Sequence, residues 1–390
     1  MTTSARWSDA FLDDARTRGD TLADAAVGAL FDSGSIAAVN GLMRTLVSND
    51  GMPSAELPKV ILDYLSETSA LPDMDVAKTE AGEQLFGLYG PECLMALGFY
   101  ALPASYAAKK GVQVLYRTAY LMKRPMRRVF ETTQMVIDVM AKGGLAPGGK
   151  GIRTAQKVRL MHAAVRHLLT HDPAHPWDDT LGAPLNQEDL AGTLMTFSFI
   201  VLTGLGRLGI DLSDDDKEAY LHAWVAIGAL MGIEAELLPA NMSEARELTY
   251  IIRKRQIAPS PEGRAMTAAL VEGMQSLTPD FFDGLPASMI RFFLDQDTFL
   301  SEDVAGMLGV PPADWTKVLI RGIEEVGELV HWLGHSREAA HVIRFMSRRF
   351  VDALLLAERG GARAPFTIPW DLQMQWKLRA SERPAPMVER

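Results

Sequence analysis

Cysteine is all but absent from this 390-residue chain, and Cys93 is the only one. A single thiol excludes an internal disulfide framework and any cysteine-based zinc site. Its apolar surroundings, ECLMALGFY, suit a buried, unreactive side chain. Positive charge is in deficit as well, with 39 Lys and Arg against 49 Asp and Glu and a net charge of -10. That balance argues against nucleic acid as a partner, because a phosphate backbone is met by clustered Lys and Arg. Long hydrophobic runs are missing too. The longest, Leu194–Leu205, is broken by Thr and Gly; it falls short of a membrane span and reads as a buried core helix. The start, MTTSARWSDAFLDDARTRGD, is polar and acidic with no apolar h-region, so the expected location is cytoplasmic. No segment alternates apolar and polar residues over a useful length, and there are no internal repeats.

What is present is helical. Hydrophobic residues make up 48% and charged residues 23%, a globular composition with enough apolar side chains for a sizeable core. Asp20-Thr21 caps a segment running through Leu22, Ala25, Val27 and Leu30 toward Gly34. Further helices are expected over Ile36–Val47 and Ala55–Leu65, with a turn at Ser48–Gly51 between them. Glu80–Tyr106 is a long apolar stretch that Gly90-Pro91 should break and Pro103 should end or kink. Lys109–Met122, Asn186–Gly209, Lys217–Gly232, Ser243–Gln256, Pro261–Gln275 and Phe281–Asp297 follow as helical segments, and Glu324–Arg359 after them. The tail, Gly360–Arg390, has Gly and Pro breaks, and ASERPAPMVER at its end is expected to be disordered. The fold class is therefore all-α, divided as an N-terminal helical extension (1–74), a helical core (75–310) and C-terminal helices with a tail (311–390), forming one compact unit.

Two of these helices carry chemistry. In Gly151–Thr170, Val158, Met161, Val165, Leu168 and Leu169 share one arc at 3.6 residues per turn. His162 stands at its margin, with Arg159 three residues back and Arg166 four residues on as surface neighbours. An imidazole between an apolar face and two cations suits a haem: an axial nitrogen, walls for the macrocycle and charges for its propionates. The same pattern also fits a half-buried histidine beside two surface arginines. In Pro125–Lys142, Arg128, Thr132, Met135 and Val139 fall on one line with Glu131 beside it. Arg and Thr at the head of a buried stripe need partners; an internal pair of Glu131 with Arg127 or Arg128 is the competing account.

The remaining motifs are weak. Gly144-Leu-Ala-Pro-Gly-Gly-Lys150 lacks both the Ser or Thr and the preceding strand of a phosphate loop, so it reads as a helix–helix connector. Gly204-Leu-Gly-Arg-Leu-Gly209 spells GxGxxG at the end of a helix, where close packing and a C-terminal cap explain it better than a dinucleotide. His171–Asn186 is a Pro- and Asp-rich loop. His331 and His335 share a helix face, but Trp332 stands where the HExxH hydrolase motif needs Glu. Arg291, in ASMIRFFLD, is a lone cation among apolar residues that can snorkel to solvent.

Taken together, Arg159-Leu-Met-His162-Ala-Ala-Val-Arg166-His167 after GGKG, with Arg128-Val-Phe-Glu131-Thr132 upstream and GIDLSDDDKEAYLHAW, IRKRQIAPSPEGRAMTAAL and Arg291 downstream, resembles the latex-clearing proteins and the wider MpaB-like oxygenases over residues 75–310. The resemblance implies a globin-like helical core holding one haem b, with His162 as proximal iron ligand and O₂ as co-substrate. It implies Arg128 and Thr132 near the distal face, and Arg159, Arg166 and Arg291 holding propionates or bracing the pocket. Latex-clearing proteins insert both atoms of O₂ across an olefinic bond of polyisoprene. Three departures matter. Glu131 stands where those proteins carry a lysine able to cap the iron. Ala101–Tyr116 holds no counterpart of their upstream glutamate. No secretion signal is visible. The expectation is a cytoplasmic haem b oxygenase acting on a smaller hydrophobic, unsaturated substrate, with Arg128, Glu131 and Thr132 as its distal catalytic residues. An electron donor is a further partner such chemistry can use. A non-catalytic haem-binding gas or redox sensor, or a haem-free helical binding protein, is the alternative.

Overall fold

The computed structural model describes residues 6–33, 57–69, 74–118, 125–276, 285–295 and 303–311. Helix starts are set by short polar caps. Ser8 accepts from Phe11 N ahead of α1 (Asp9–Ala15), and Asp20 accepts from Ala23 N ahead of α2 (Thr21–Asp32). Helix α3 (Lys59–Glu67) starts after Pro58. Helix α4 runs from Val76 to Tyr106 and α5 from Val112 to Arg117. Helix α6 (Pro125–Met140) has its proline in the first turn, where the missing N–H costs nothing. Helices α7 (Lys150–Thr170) and α8 (Gln187–Arg207) follow. Ser213, Asn241 and Ser260 then cap α9 (Asp214–Leu230), α10 (Met242–Gln256) and α11 (Pro261–Gln275). Helices α12 (Leu285–Asp295) and α13 (Val304–Met307) complete the described chain. Among the described residues the β contacts amount to one isolated bridge, Ala108 with Ile257. The protein is all-α.

The break expected at Gly90-Pro91 is present as a kink: Tyr89 leaves helical geometry (φ -120, ψ 18), and helix resumes through Pro91. Pro103 does not end the stretch, because a π-helical turn at Leu97–Ala101 leads directly into Leu102–Tyr106. Tertiary packing overrides the local signal. Helix α4 lies flat on α9 and α8, close enough that a Cβ on Gly204 would come within 2.7 Å of Ala96 Cβ. Gly204 is thus a contact glycine. Gly209, at φ +75, ends α8 in the left-handed conformation, with Ile210 N donating to Leu205 O. The GxGxxG run is packing and capping, as expected.

Joining segments through these breaks also changes the membrane reading. Val76–Tyr106 and Gln187–Arg207 are long and apolar enough, by length and composition, to cross a bilayer, although no such run was expected. Their apolar windows are 56% and 67% buried inside the protein, the position of core helices.

The core has two parts. The larger is built on α4, α8 and α9, with Tyr100 stacked on Phe293 and Phe197 on Trp224. The smaller joins Ala23, Val27 and Leu30 of α2 and Ile61 and Tyr64 of α3 to Leu160, Ala163 and Ala164 of α7. The glycine-rich connector before α7 is tied down by the buried Glu83, which accepts from Gly143 N (2.7 Å) and Leu145 N (3.0 Å). These amides already hold a carboxylate, so the loop does not cradle phosphate. The segments Ile36–Val47 and Ser48–Gly51, the pair His331 and His335, Glu324–Arg359 and the tail lie outside the described residues.

Two outcomes follow. Burial pushes the Cys93 thiol up to about 12, so at pH 8 only about one thiol in ten thousand is ionised. A thiol reagent should leave the native chain unmodified and label it once after unfolding in guanidinium. Replacing Glu83 by Ala strands two backbone donors and should lower stability by about 1–3 kcal/mol. This is read as a lower urea midpoint at unchanged slope.

Candidate functional site

Helix α7 faces two environments. Ala155, Leu160 and Ala163 are fully buried in the protein core. The arc read from the sequence as its oily face is a different surface. Val158, Met161 and Val165 are only partly buried by protein and, with His162 and Leu168, line a cavity of about 430 Å³. Leu169, the last member of that arc, is in the core. The imidazole therefore borders the cavity, not the packed core.

Helix α6 supplies a second wall through Glu131, Thr132 and Met135. The spacing that placed these residues on one stripe thus brings Glu131, Thr132 and His162 to one cavity. Arg128 belongs to the same helix, and its side chain lies outside the described residues. The π-helical turn of α8, Thr196–Ile200, contributes Thr196, Phe197 and Ile200. Trp224 and Met231 add to the apolar lining.

One patch of the lining is charged, and sequence reasoning missed it. Glu188 and Asp189, in the first turn of α8, and Arg253 and Gln256, at the end of α10, all border the cavity. Glu188 is fully buried. It accepts from Arg16 Nη1 (3.0 Å), Arg255 Nε (2.9 Å) and Gln256 Nε2 (2.9 Å). Asp189 accepts from Arg16 Nη1 (2.9 Å) and Asn186 Nδ2 (2.9 Å). Burial pushes the Asp189 carboxyl above its ordinary range, and Arg16 pulls against that shift. In the sequence, Gln187-Glu-Asp189 looks like an acidic first turn facing solvent. Arg253-Lys-Arg255 gives no sign of which cation is buried. Lys157 of α7 also borders the cavity.

The three arginines singled out beside the signature helix lie elsewhere. Arg159 is bound by Asp20, Arg166 by Asp24 and the Leu185 carbonyl. Arg291 is no lone cation: it pairs with Asp295 (2.9 Å), and its Nη1 donates to Val310 O (3.2 Å). None of the three is among the residues that line the cavity.

The donor chemistry restricts what the cavity can hold. Among the described residues there is no group of three or more His, Cys, Asp or Glu arranged to hold a metal ion. A bare catalytic metal needs such a set, as in a facial triad of two histidines and a carboxylate.

Comparison with known proteins agrees with this architecture. The model of the "ER-bound oxygenase mpaB/B'/Rubber oxygenase, catalytic domain" family matches residues 84–332. A rubber oxygenase from Streptomyces sp. (strain K30) is 29% identical over 298 residues, 75% of this chain and 70% of that protein. The solved structure of latex clearing protein LCP in the closed state shares the fold. Its TM-score is 0.61 at 23% identity, covering 97% of this chain and 94% of that one. The match extends over more than half of the chain and takes in every helix that lines the cavity, so this chain belongs to the mpaB and rubber oxygenase catalytic-domain family of oxygenases.

Proposed function

We propose that this chain is a haem b-dependent oxygenase that uses O₂ on a hydrophobic, unsaturated small molecule, cleaving its C=C bond or inserting oxygen there. The observation that carries this reading is the single imidazole of His162 in an apolar cavity shared with Glu131 and Thr132. Haem fits the residues present. His162 offers one axial nitrogen, Val158, Met161 and Val165 offer flat apolar walls, and Lys157 and Arg253 are cations at the cavity surface for propionates. When bound, haem supplies the redox chemistry with O₂ that side chains cannot.

The protein's own part is binding, orientation and proton handling. Met135, Phe197, Ile200 and Met231 give a lining that excludes water and accepts an apolar chain. The Thr132 hydroxyl can donate one hydrogen bond and accept others at the cavity surface. The Glu131 carboxylate can take a proton onto Oε and return it during turnover. Glu131 stands where latex-clearing proteins carry a lysine able to cap the iron, and puts a group of opposite charge there.

The first test is spectroscopic. Protein expressed with a haem precursor should show a Soret band that shifts when the reduced protein meets carbon monoxide, and His162→Ala should lose stable haem. A folded, colourless wild-type chain, or full haem occupancy in His162→Ala, overturns the assignment. With a competent alkene in hand, Glu131→Gln should keep its haem and lower kcat by about 10²–10⁴-fold. An unchanged kcat would remove Glu131 from the proton path.

A further inference from the structure

Helix α2 precedes the region matched by the oxygenase family model, which begins at residue 84. Its first turn nevertheless meets the signature helix α7 at two points. Arg159 Nε donates to Asp20 Oδ2 (2.5 Å) and Nη2 to Asp20 Oδ1 (2.8 Å), a two-pronged pair. One turn along α2, Asp24 accepts from Arg166 Nε at 2.8 Å through Oδ1. Asp24 Oδ2 also accepts from the Asp20 backbone N–H (3.0 Å), which ties the Asp24 carboxylate to the start of α2. The arginines lie three residues before and four after His162, so the pairs straddle it along the helix.

The surroundings leave these pairs little freedom. Arg159 also lies over the Tyr64 ring, 5.8 Å from its centroid. Arg166 is 5% exposed and its Nη1 donates to Leu185 O (2.8 Å). Leu185 holds a left-handed φ of +51 and its side chain lines the cavity, so this one guanidinium ties α2, α7 and the cavity wall together. Each pair is also roofed by backbone: a Cβ on Gly232 would fall 2.3 Å from Asp20 Oδ2, and one on Gly19 would fall 2.5 Å from Asp24 Oδ2.

We infer that Asp20 and Asp24 are positioning residues for His162: through Arg159 and Arg166 they fix the rotation of α7, and so the direction in which the imidazole enters the cavity. The N-terminal helix is then part of the oxygenase site. The inference rests on the haem assignment above for its functional consequence. Its structural content is the clamp itself.

The test uses full-length protein carrying Asp20→Asn or Asp24→Asn, with Asp63→Asn, in an exposed ion pair with Lys59, as control. Resonance Raman of the reduced, five-coordinate haem protein reads the iron–histidine stretch, and transfer of haem to apomyoglobin reads its release. Both clamp variants should keep their helical circular dichroism, shift or broaden the iron–histidine band and release haem about ten- to a hundredfold faster. The control should match wild type. A folded Asp24→Asn with wild-type band and release overturns the inference. Asp24 is about a third exposed, so that variant carries the test if Asp20→Asn does not fold. A wild-type chain that takes no haem overturns the haem assignment alone. The clamp is then read from the His162 ring resonances by NMR in the same variants, and unmoved resonances overturn it.

Discussion

An arginine is not taken out of water without a partner, and the helix that carries His162 takes in two. Arg159 and Arg166 are both largely buried, and the carboxylates that meet them come from one turn of one neighbouring helix. That requirement sets where α2 lies, and α2 with α3 then buries Leu160, Ala163 and Ala164 on one side of α7. With that side occupied by protein, Val158, Met161, His162 and Val165 are left to face the cavity. Removing one partner from such a pair costs about 3–5 kcal/mol, because a buried charge is stranded. The orientation of the histidine is therefore held by electrostatics as much as by packing.

The opposite end of the design is a second buried ionic group, Arg16, Arg255, Glu188 and Asp189, joined to Gln256 and Asn186. It pins α1, α8 and α10 together beside the cavity. Further along, α8 passes through its π-helical turn, Thr196–Ile200. A π turn adds one residue to the helical repeat and rotates the side chains beyond it, and such turns recur beside functional sites. Here it places Thr196, Phe197 and Ile200 in the lining while Ser198 stays buried, its hydroxyl donating to Leu194 O (2.7 Å). The second π turn, in α4, packs against the first without lining the cavity. Rigid charged anchors and a locally rewound helix together shape the chamber.

The all-α class, the cap at Asp20, and the limits of α6 and α7 were legible because periodicity and capping are local properties. The meeting of Glu131, Thr132 and His162 was legible only through the spacing of two helices together with a family resemblance. The apolar arc of α7, read as walls beside His162, does line the cavity, except for Leu169. Two things were not legible. The partners of Arg159 and Arg166 lie more than a hundred residues away, and nothing in a local window points to Asp20 or Asp24. The Glu188 cluster resembled a solvated helix start, since an acidic first turn is favourable whether or not it is buried. Pro103 misled for the converse reason: a local helix-breaking signal lost to close packing between α4, α8 and α9, whereas Gly90-Pro91 marked a true kink.

The polar lining falls in two parts. Glu188, Asp189, Arg253 and Gln256 form the patch where α8 begins and α10 ends, and Glu131, Gln134, Asp138 and Lys157 lie on α6 and α7 among apolar side chains. Arg159, Arg166 and Arg291 are committed to carboxylates outside the cavity, whereas Lys157 and Arg253 border it. Near His162 the cavity offers Glu131 and Thr132 together with Met135 and Phe197. That setting suits an olefin whose oxidation needs a proton moved once and water kept out.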